Sequence, residues 1–124
     1  AEKGGALSAK VLKTSGGFHT SLMQPAQEKL KQALQDVAPS MKPPRCDIYM
    51  NVTGKPLAAG TDPKAVVDLL SQQLVNPVLW SPSVEKMIAD GITEFFECGP
   101  QKQIKAMMKR IDQKVWKDTV NVEV

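Results

Sequence analysis

The sequence predicts an α/β fold, and three observations carry that prediction. Strand-like and helix-like segments alternate along the 124 residues, proline and glycine mark nearly every junction, and each helical segment is apolar on one stripe only. That length suits a single domain able to bury a core without disulfide or metal support.

Taken in order, Ala9 to Thr14 reads as a short strand, closed by the Gly16-Gly17 turn. Leu22, Ala26, Leu30, Ala33, Leu34 and Val37 then form a helical stripe, which Pro39, Pro43 and Pro44 terminate. Asp47 to Val52 reads as a strand and Thr53-Gly54-Lys55-Pro56 as a turn. A second helix is expected over Pro63 to Leu74, with Asp62 as N-cap and proline at its first position. Asn76-Pro77 breaks it, and Ser81-Pro82 starts a third helix carrying Val84, Met87 and Ile88 up to Gly91. Ile92 to Cys98 reads as a strand, and Gly99-Pro100 turns into a fourth helix with Ile104, Met107, Met108 and Ile111 on one seam. Lys114 to Lys117 is the expected last strand, and no repeat or low-complexity tract interrupts the series.

Composition excludes several function classes. Aromatic residues are 5% of the chain, which argues against stacking on nucleic-acid bases, and the formal charge of +3 is a mild bias toward acidic partners. No apolar run approaches the roughly 18 residues of a membrane span. Cys46 and Cys98 could pair in principle, but they match no zinc or redox spacing, and free thiols of a reducing compartment are the commoner reading. The opening Ala1-Glu2-Lys3-Gly4-Gly5 is no signal peptide and suggests a processed product or a piece of something longer.

Chemistry converges on one loop. His19 is the only histidine and lies in Ser15-Gly16-Gly17-Phe18-His19-Thr20-Ser21-Leu22-Met23, between the first strand and the first helix. An imidazole can accept and return a proton near neutral pH. A turn after a strand can also present it at a sheet edge where ligands collect. From the residues alone a structural histidine is the commoner reading. No Gly-x-Ser-x-Gly elbow, Gly-x-Gly-x-x-Gly run or Walker sequence accompanies it, and one histidine with two distant cysteines makes no metal-ligand set.

Four ordered segments carry a resemblance. Ser15-Gly16-Gly17-Phe18-His19-Thr20-x-Leu22-Met23-x-Pro25-Ala26 resembles the histidine segment of the malonyl-CoA:acyl-carrier-protein transacylases and the related acyltransferase domains of fatty-acid and polyketide synthases. Tyr49-Met50-Asn51-Val52-Thr53-Gly54 is similar to that family's Asn-Val strand, and Gln72 to Trp80 to its Gln-Leu-x-x-Pro-Val-x-Trp block. Phe96-Glu97-Cys98-Gly99-Pro100 through Ile104 resembles its Glu-x-Gly-Pro turn, with Lys109-Arg110-Ile111 fitting beyond it.

The resemblance implies the C-terminal half of a hydrolase-like α/β acyltransferase core. Residues 1–14 would be the tail of the inserted ferredoxin-like subdomain, contributing its last strand, and residues 15–124 the C-terminal part of the core. It implies transfer of malonyl from coenzyme A to the phosphopantetheine thiol of acyl carrier protein through an acyl-serine, with no covalently bound cofactor. His19 would be the general base and acid, oriented by the main-chain carbonyl of Gln73, with Phe18 and Asn51 binding substrate. Phe18 resembles the malonyl-selective pattern, since its ring would crowd an α-methyl group; plain core packing is the other reading.

No residue here matches the family's serine elbow, its malonyl-binding arginine or its oxyanion-hole glutamine segment. The chain is therefore expected to be inactive alone and to need the missing N-terminal part, whose absence would leave a raw sheet edge. Lys102, Lys105 and Lys109 are expected to form a basic face for docking the acidic carrier protein, although a solvated lysine face is the commoner pattern. An intracellular site is expected, in a mitochondrion or plastid, as the Val115-Trp116-Lys117 ending suggests, or otherwise in the cytoplasm. The rival reading is a non-catalytic module that binds carrier protein or coenzyme A.

Overall fold

Asp62 shows how closely local chemistry sets the helix boundaries. In the computed structural model, which describes residues 2–5, 9, 11 and 13–123, its carboxylate accepts the Lys64 N–H at 2.8 Å. Helix α2 (Pro63–Gln72) starts there with proline in its first turn, where a missing N–H costs nothing. Helix α1 (Gln24–Val37) follows a 3-10 turn at Ser21–Met23 and packs against α2, with Leu30 and Leu34 of its stripe half-buried. Helix α3 (Trp80–Ala89) ends at Gly91, whose φ of 88° only glycine adopts easily. The Gly91 N–H returns to the Ile88 carbonyl and the Ile92 N–H to the Met87 carbonyl, a Schellman closure of the helix.

The strands are shorter than expected and form two small sheets among the described residues. Strand β1 (Ile48–Tyr49) pairs antiparallel with β2 (Pro56–Leu57), Ile48 opposite Leu57. The expected strand to Val52 stops early because the Met50 carbonyl accepts the N–H groups of Thr53 and Gly54, which folds the chain into a turn. Strand β3 (Phe96–Cys98), shorter than the expected run from Ile92, pairs parallel with β4 (Val120–Val122).

Between those strands lie α4 (Gln103–Met108) and α5 (Gln113–Asp118), the crossover that a parallel pair requires. The expected strand at Lys114–Lys117 is therefore helix. Asp112 caps it, its carboxylate accepting the Val115 N–H at 2.8 Å, and Val115 faces inward while Thr119 bonds back to its carbonyl. At the other end, Lys10 and Leu12 of the expected first strand lie outside the described residues. Ala9, Val11, Lys13 and Thr14 are in no strand.

Val84, Met108 and Val115 form the main core, with Trp80, Ile88, Phe95, Ile111 and Trp116 packed around them. Among the described residues no helix is long and apolar enough to cross a membrane, and no group of three histidine, cysteine or acidic residues could hold a metal ion. Cys46 and Cys98 are both free and exposed.

Candidate active site

The loop that carries His19 is tied down by its own neighbours. The Thr20 hydroxyl donates to the Gly17 carbonyl at 2.6 Å and accepts from the Leu22 N–H at 3.3 Å, while the Met23 N–H bonds the Thr20 carbonyl at 3.0 Å. His19 itself has a φ of 62°, the only positive value on a non-glycine residue among those described. Left-handed backbone costs an ordinary residue roughly 1–2 kcal/mol, and such strain collects where a side chain must be aimed.

What the strained backbone aims is the imidazole. His19 Nδ1 lies 2.8 Å from the carbonyl oxygen of Gln73, a contact spanning 54 residues of sequence. A carbonyl can only accept, so Nδ1 carries the proton and donates. That choice of tautomer leaves Nε2 with its lone pair free, the form a general base needs. Gln73 is the C-cap of α2, and its carbonyl is one of those the helix leaves without an internal partner. The ring is exposed, so Nε2 is open to a group arriving from outside.

The other expected site residues are placed differently. Phe18 is half out in solvent beside Gly16, so it is no core residue of these 124. Asn51 lies in the turn after β1 and holds the start of α3, its carbonyl accepting the Leu79 N–H at 2.8 Å. No hydrogen bond links either of them to His19 among the described residues. The expected basic face of α4 is divided. Lys105 is half-buried with its ammonium on the Thr119 carbonyl, and Lys109 lies 4.6 Å from the Trp116 ring, a cation–π contact. Lys102 is exposed, and the recess beside it also carries Asp118 and Glu123.

Two polar anchors were not legible as such in sequence. Glu97 is 7% exposed and accepts the Ile104 and Lys105 N–H groups, both at 2.9 Å, on its two oxygens. The Asn121 amide donates to the carbonyls of Glu97, Gly99 and Gln101. Together they pin the Gly99–Gln101 loop between β3 and α4. The Glu-x-Gly-Pro motif marked Glu97, whereas nothing in the sequence marked Asn121. A surface clasp joins β1 to α3 in the same way. The Tyr49 hydroxyl donates to Asp90 at 2.7 Å, and Lys86 pairs with the other Asp90 oxygen. The bond to Asp90, then lost hydration and the charges of Asp90 and Asp47, push the Tyr49 hydroxyl up to about 12. Lys86, then Tyr49, hold the Asp90 carboxyl below its ordinary value.

Solved structures place the fold in a known class. An acyl-carrier-protein S-malonyltransferase from Burkholderia pseudomallei superposes with a TM-score of 0.80 at 33% identity, over 99% of this chain and 37% of that one. The transacylase of Streptococcus pneumoniae gives 0.81 at 32%, again over 99% and 37%. The chain thus has the acyltransferase α/β fold, in part. No family model matches it. Among curated relatives, the malonyl-CoA–acyl carrier protein transacylase of Bacillus subtilis is 36% identical over 115 residues, 93% of this chain and 35% of its own length. The human mitochondrial transacylase is 37% identical over 119 residues, 93% and 29%. The chain is a homologue of the malonyl-CoA–acyl carrier protein transacylases, spanning about a third of their length. Bacterial and mitochondrial relatives match it equally well.

Proposed function

We propose that this chain supplies the general base and acid of a malonyl-CoA–acyl carrier protein transacylase. The nucleophilic serine would come from a segment outside these 124 residues. The observation that carries the reading is the 2.8 Å bond from His19 Nδ1 to the Gln73 carbonyl. It fixes the tautomer with Nε2 free, and no serine among the described residues bonds to that ring.

In the first half-reaction Nε2 takes the proton of the serine hydroxyl as its oxygen attacks the malonyl thioester carbonyl. The carbon–sulfur bond breaks, and the imidazolium returns that proton to the departing coenzyme A thiolate. In the second, the phosphopantetheine thiol of the carrier protein gives its proton to Nε2 and attacks the acyl-serine. The serine oxygen leaves and is reprotonated by the same ring. A neutral carbonyl stabilises the imidazolium less than a carboxylate would. Phe18, exposed beside the histidine, fits a role against the malonyl group better than core packing. Residues 1–14 read as the tail of a small subdomain and 15–124 as part of the core, with Asn51 toward the substrate. Docking of the acidic carrier falls to Lys102 and Lys109, which remain exposed, more than to Lys105.

The related transacylase in complex with a type II polyketide synthase acyl carrier protein supports the carrier as partner. Intact mass after mixing with malonyl-CoA tests the reading. The chain alone should gain no malonyl group, and transfer to carrier protein should appear on adding the serine-bearing portion of a relative and vanish with His19→Ala. Binding of coenzyme A or carrier without transfer in that mixture would instead support a non-catalytic module.

A further inference from the structure

We infer that Asn76 and Pro77 are positioning residues, which keep the Gln73 carbonyl clear of the backbone so that His19 is its partner. The inference deepens the function proposed above and rests on it for its catalytic consequence. In the sequence this dipeptide reads only as the stop signal of α2.

A carbonyl at a helix C-terminus ordinarily finds a new partner within its own chain. The amide three residues on takes it in a 3-10 turn, or the amide four residues on takes it where the helix continues. For Gln73 those are the amides of residues 76 and 77, and neither is offered. The Asn76 N–H bonds the Gln72 carbonyl at 3.2 Å, and the Asn76 Nδ2 donates to the same oxygen at 2.9 Å. The Val75 N–H joins them there at 3.3 Å, so the nearby donors collect on the carbonyl that precedes Gln73. Residue 77 is proline and has no N–H to give.

The chain beyond is led away as well. The Leu79 N–H goes to the Asn51 carbonyl at 2.8 Å, in the turn after β1. Among the described residues no backbone N–H bonds the Gln73 oxygen, and the donor it receives is His19 Nδ1 at 2.8 Å. An amide there would take a lone pair of that oxygen and weaken its hold on the ring. A ring released from the carbonyl is free to carry its proton on Nε2, the nitrogen that the proposed mechanism needs bare. The way α2 ends thus sets the tautomer at position 19.

The test uses the whole chain. His19 is its only histidine, so nitrogen NMR of the imidazole, taken at alkaline pH with the ring neutral, reads this one tautomer. The unsubstituted chain should show the Nδ1–H form in excess. Pro77→Ala adds an amide at 77, and Asn76→Ala loosens the amide at 76. Each should lower the ratio of Nδ1–H to Nε2–H about fivefold, the worth of one net hydrogen bond. Asn76→Ser, whose hydroxyl can still donate to the carbonyl four residues back, should keep the ratio. Thermal midpoints identify the folded variants, and Asn76→Ala, which removes one exposed bond, decides the question if Pro77→Ala unfolds. An unchanged ratio in either folded variant would overturn the inference. So would an excess of the Nε2–H form in the unsubstituted chain, or a fall in Asn76→Ser as large as in Asn76→Ala. Transfer to carrier protein, measured with the serine-bearing portion of a relative, separates this inference from the function. A lower ratio with transfer undiminished keeps the positioning role and removes His19 as the base; transfer lost at an unchanged ratio removes the positioning role and leaves the function standing.

Discussion

Replacing His19 by glycine and by alanine should give stabilities in the reverse of the order expected at an ordinary position. Both variants lose the bond to the Gln73 carbonyl, so that loss cancels between them. What differs is the backbone at φ 62°. Alanine keeps the left-handed penalty of roughly 1–2 kcal/mol, which glycine escapes. Glycine gives back roughly 0.5–1 kcal/mol through its freer unfolded chain. The balance leaves glycine ahead by about 0.5–1 kcal/mol, equivalent to about 2–5 °C in thermal midpoint for a chain of this size. At a helical position alanine would instead lead by about 1 kcal/mol. Urea unfolding of the two proteins, with equal slopes confirmed, decides the matter by sign alone. An alanine variant as stable as the glycine variant would refute the claim that this loop holds its histidine under strain.

Tyr49 is the chain's only tyrosine, so absorbance at 295 nm titrates it alone; its midpoint should lie near 12 and move down toward 10 in Asp90→Asn. Because the Tyr49 value is raised, its contribution to stability is intact below about pH 10 and lost on rising toward 12. The lowered Asp90 value acts in the other direction, its contribution disappearing as pH falls below about 4. Glu97→Gln should cost about 1–3 kcal/mol in urea unfolding, since an amide offers one acceptor oxygen where two buried N–H groups need two; a change within experimental error would deny Glu97 that anchoring role. Gly54→Ala combines a φ of 62° with a Cβ that would sit 3.2 Å from Pro82 Cβ, so a loss of about 1–2 kcal/mol is expected, and an unaltered midpoint would mean that the turn and the start of α3 can separate freely.

The parts of this molecule that were legible in sequence are those set by neighbours. Asp62-Pro63 and Gly91 each carry their own stop or start signal, and the structure uses them so. The strand expected at Lys114 to Lys117 gives way to helix because Asp112, three residues ahead of Val115, is a local helix signal that prevails once Val115 can be buried. Strand β4 has no such signal; Val120-Asn121-Val122 acquires its conformation from pairing with β3. Distance in sequence also separates the two halves of the site. His19 stood out as the lone imidazole, and Gln73 only through resemblance, because a main-chain carbonyl leaves no trace in composition or periodicity. Asn121 reaches carbonyls 20 or more residues away, and no spacing rule connects them.

That the partner of His19 is a peptide oxygen has a consequence for how this protein tolerates change. A carboxylate partner can be deleted by one substitution, whereas every amino acid placed at position 73 brings the same C=O with it. A saturation scan read out by transfer in the presence of the serine-bearing portion of a relative should therefore register position 19 sharply and pass over position 73, except for residues that disturb the end of α2. Half of that hydrogen bond is written in the path of the chain, beyond the reach of a codon change.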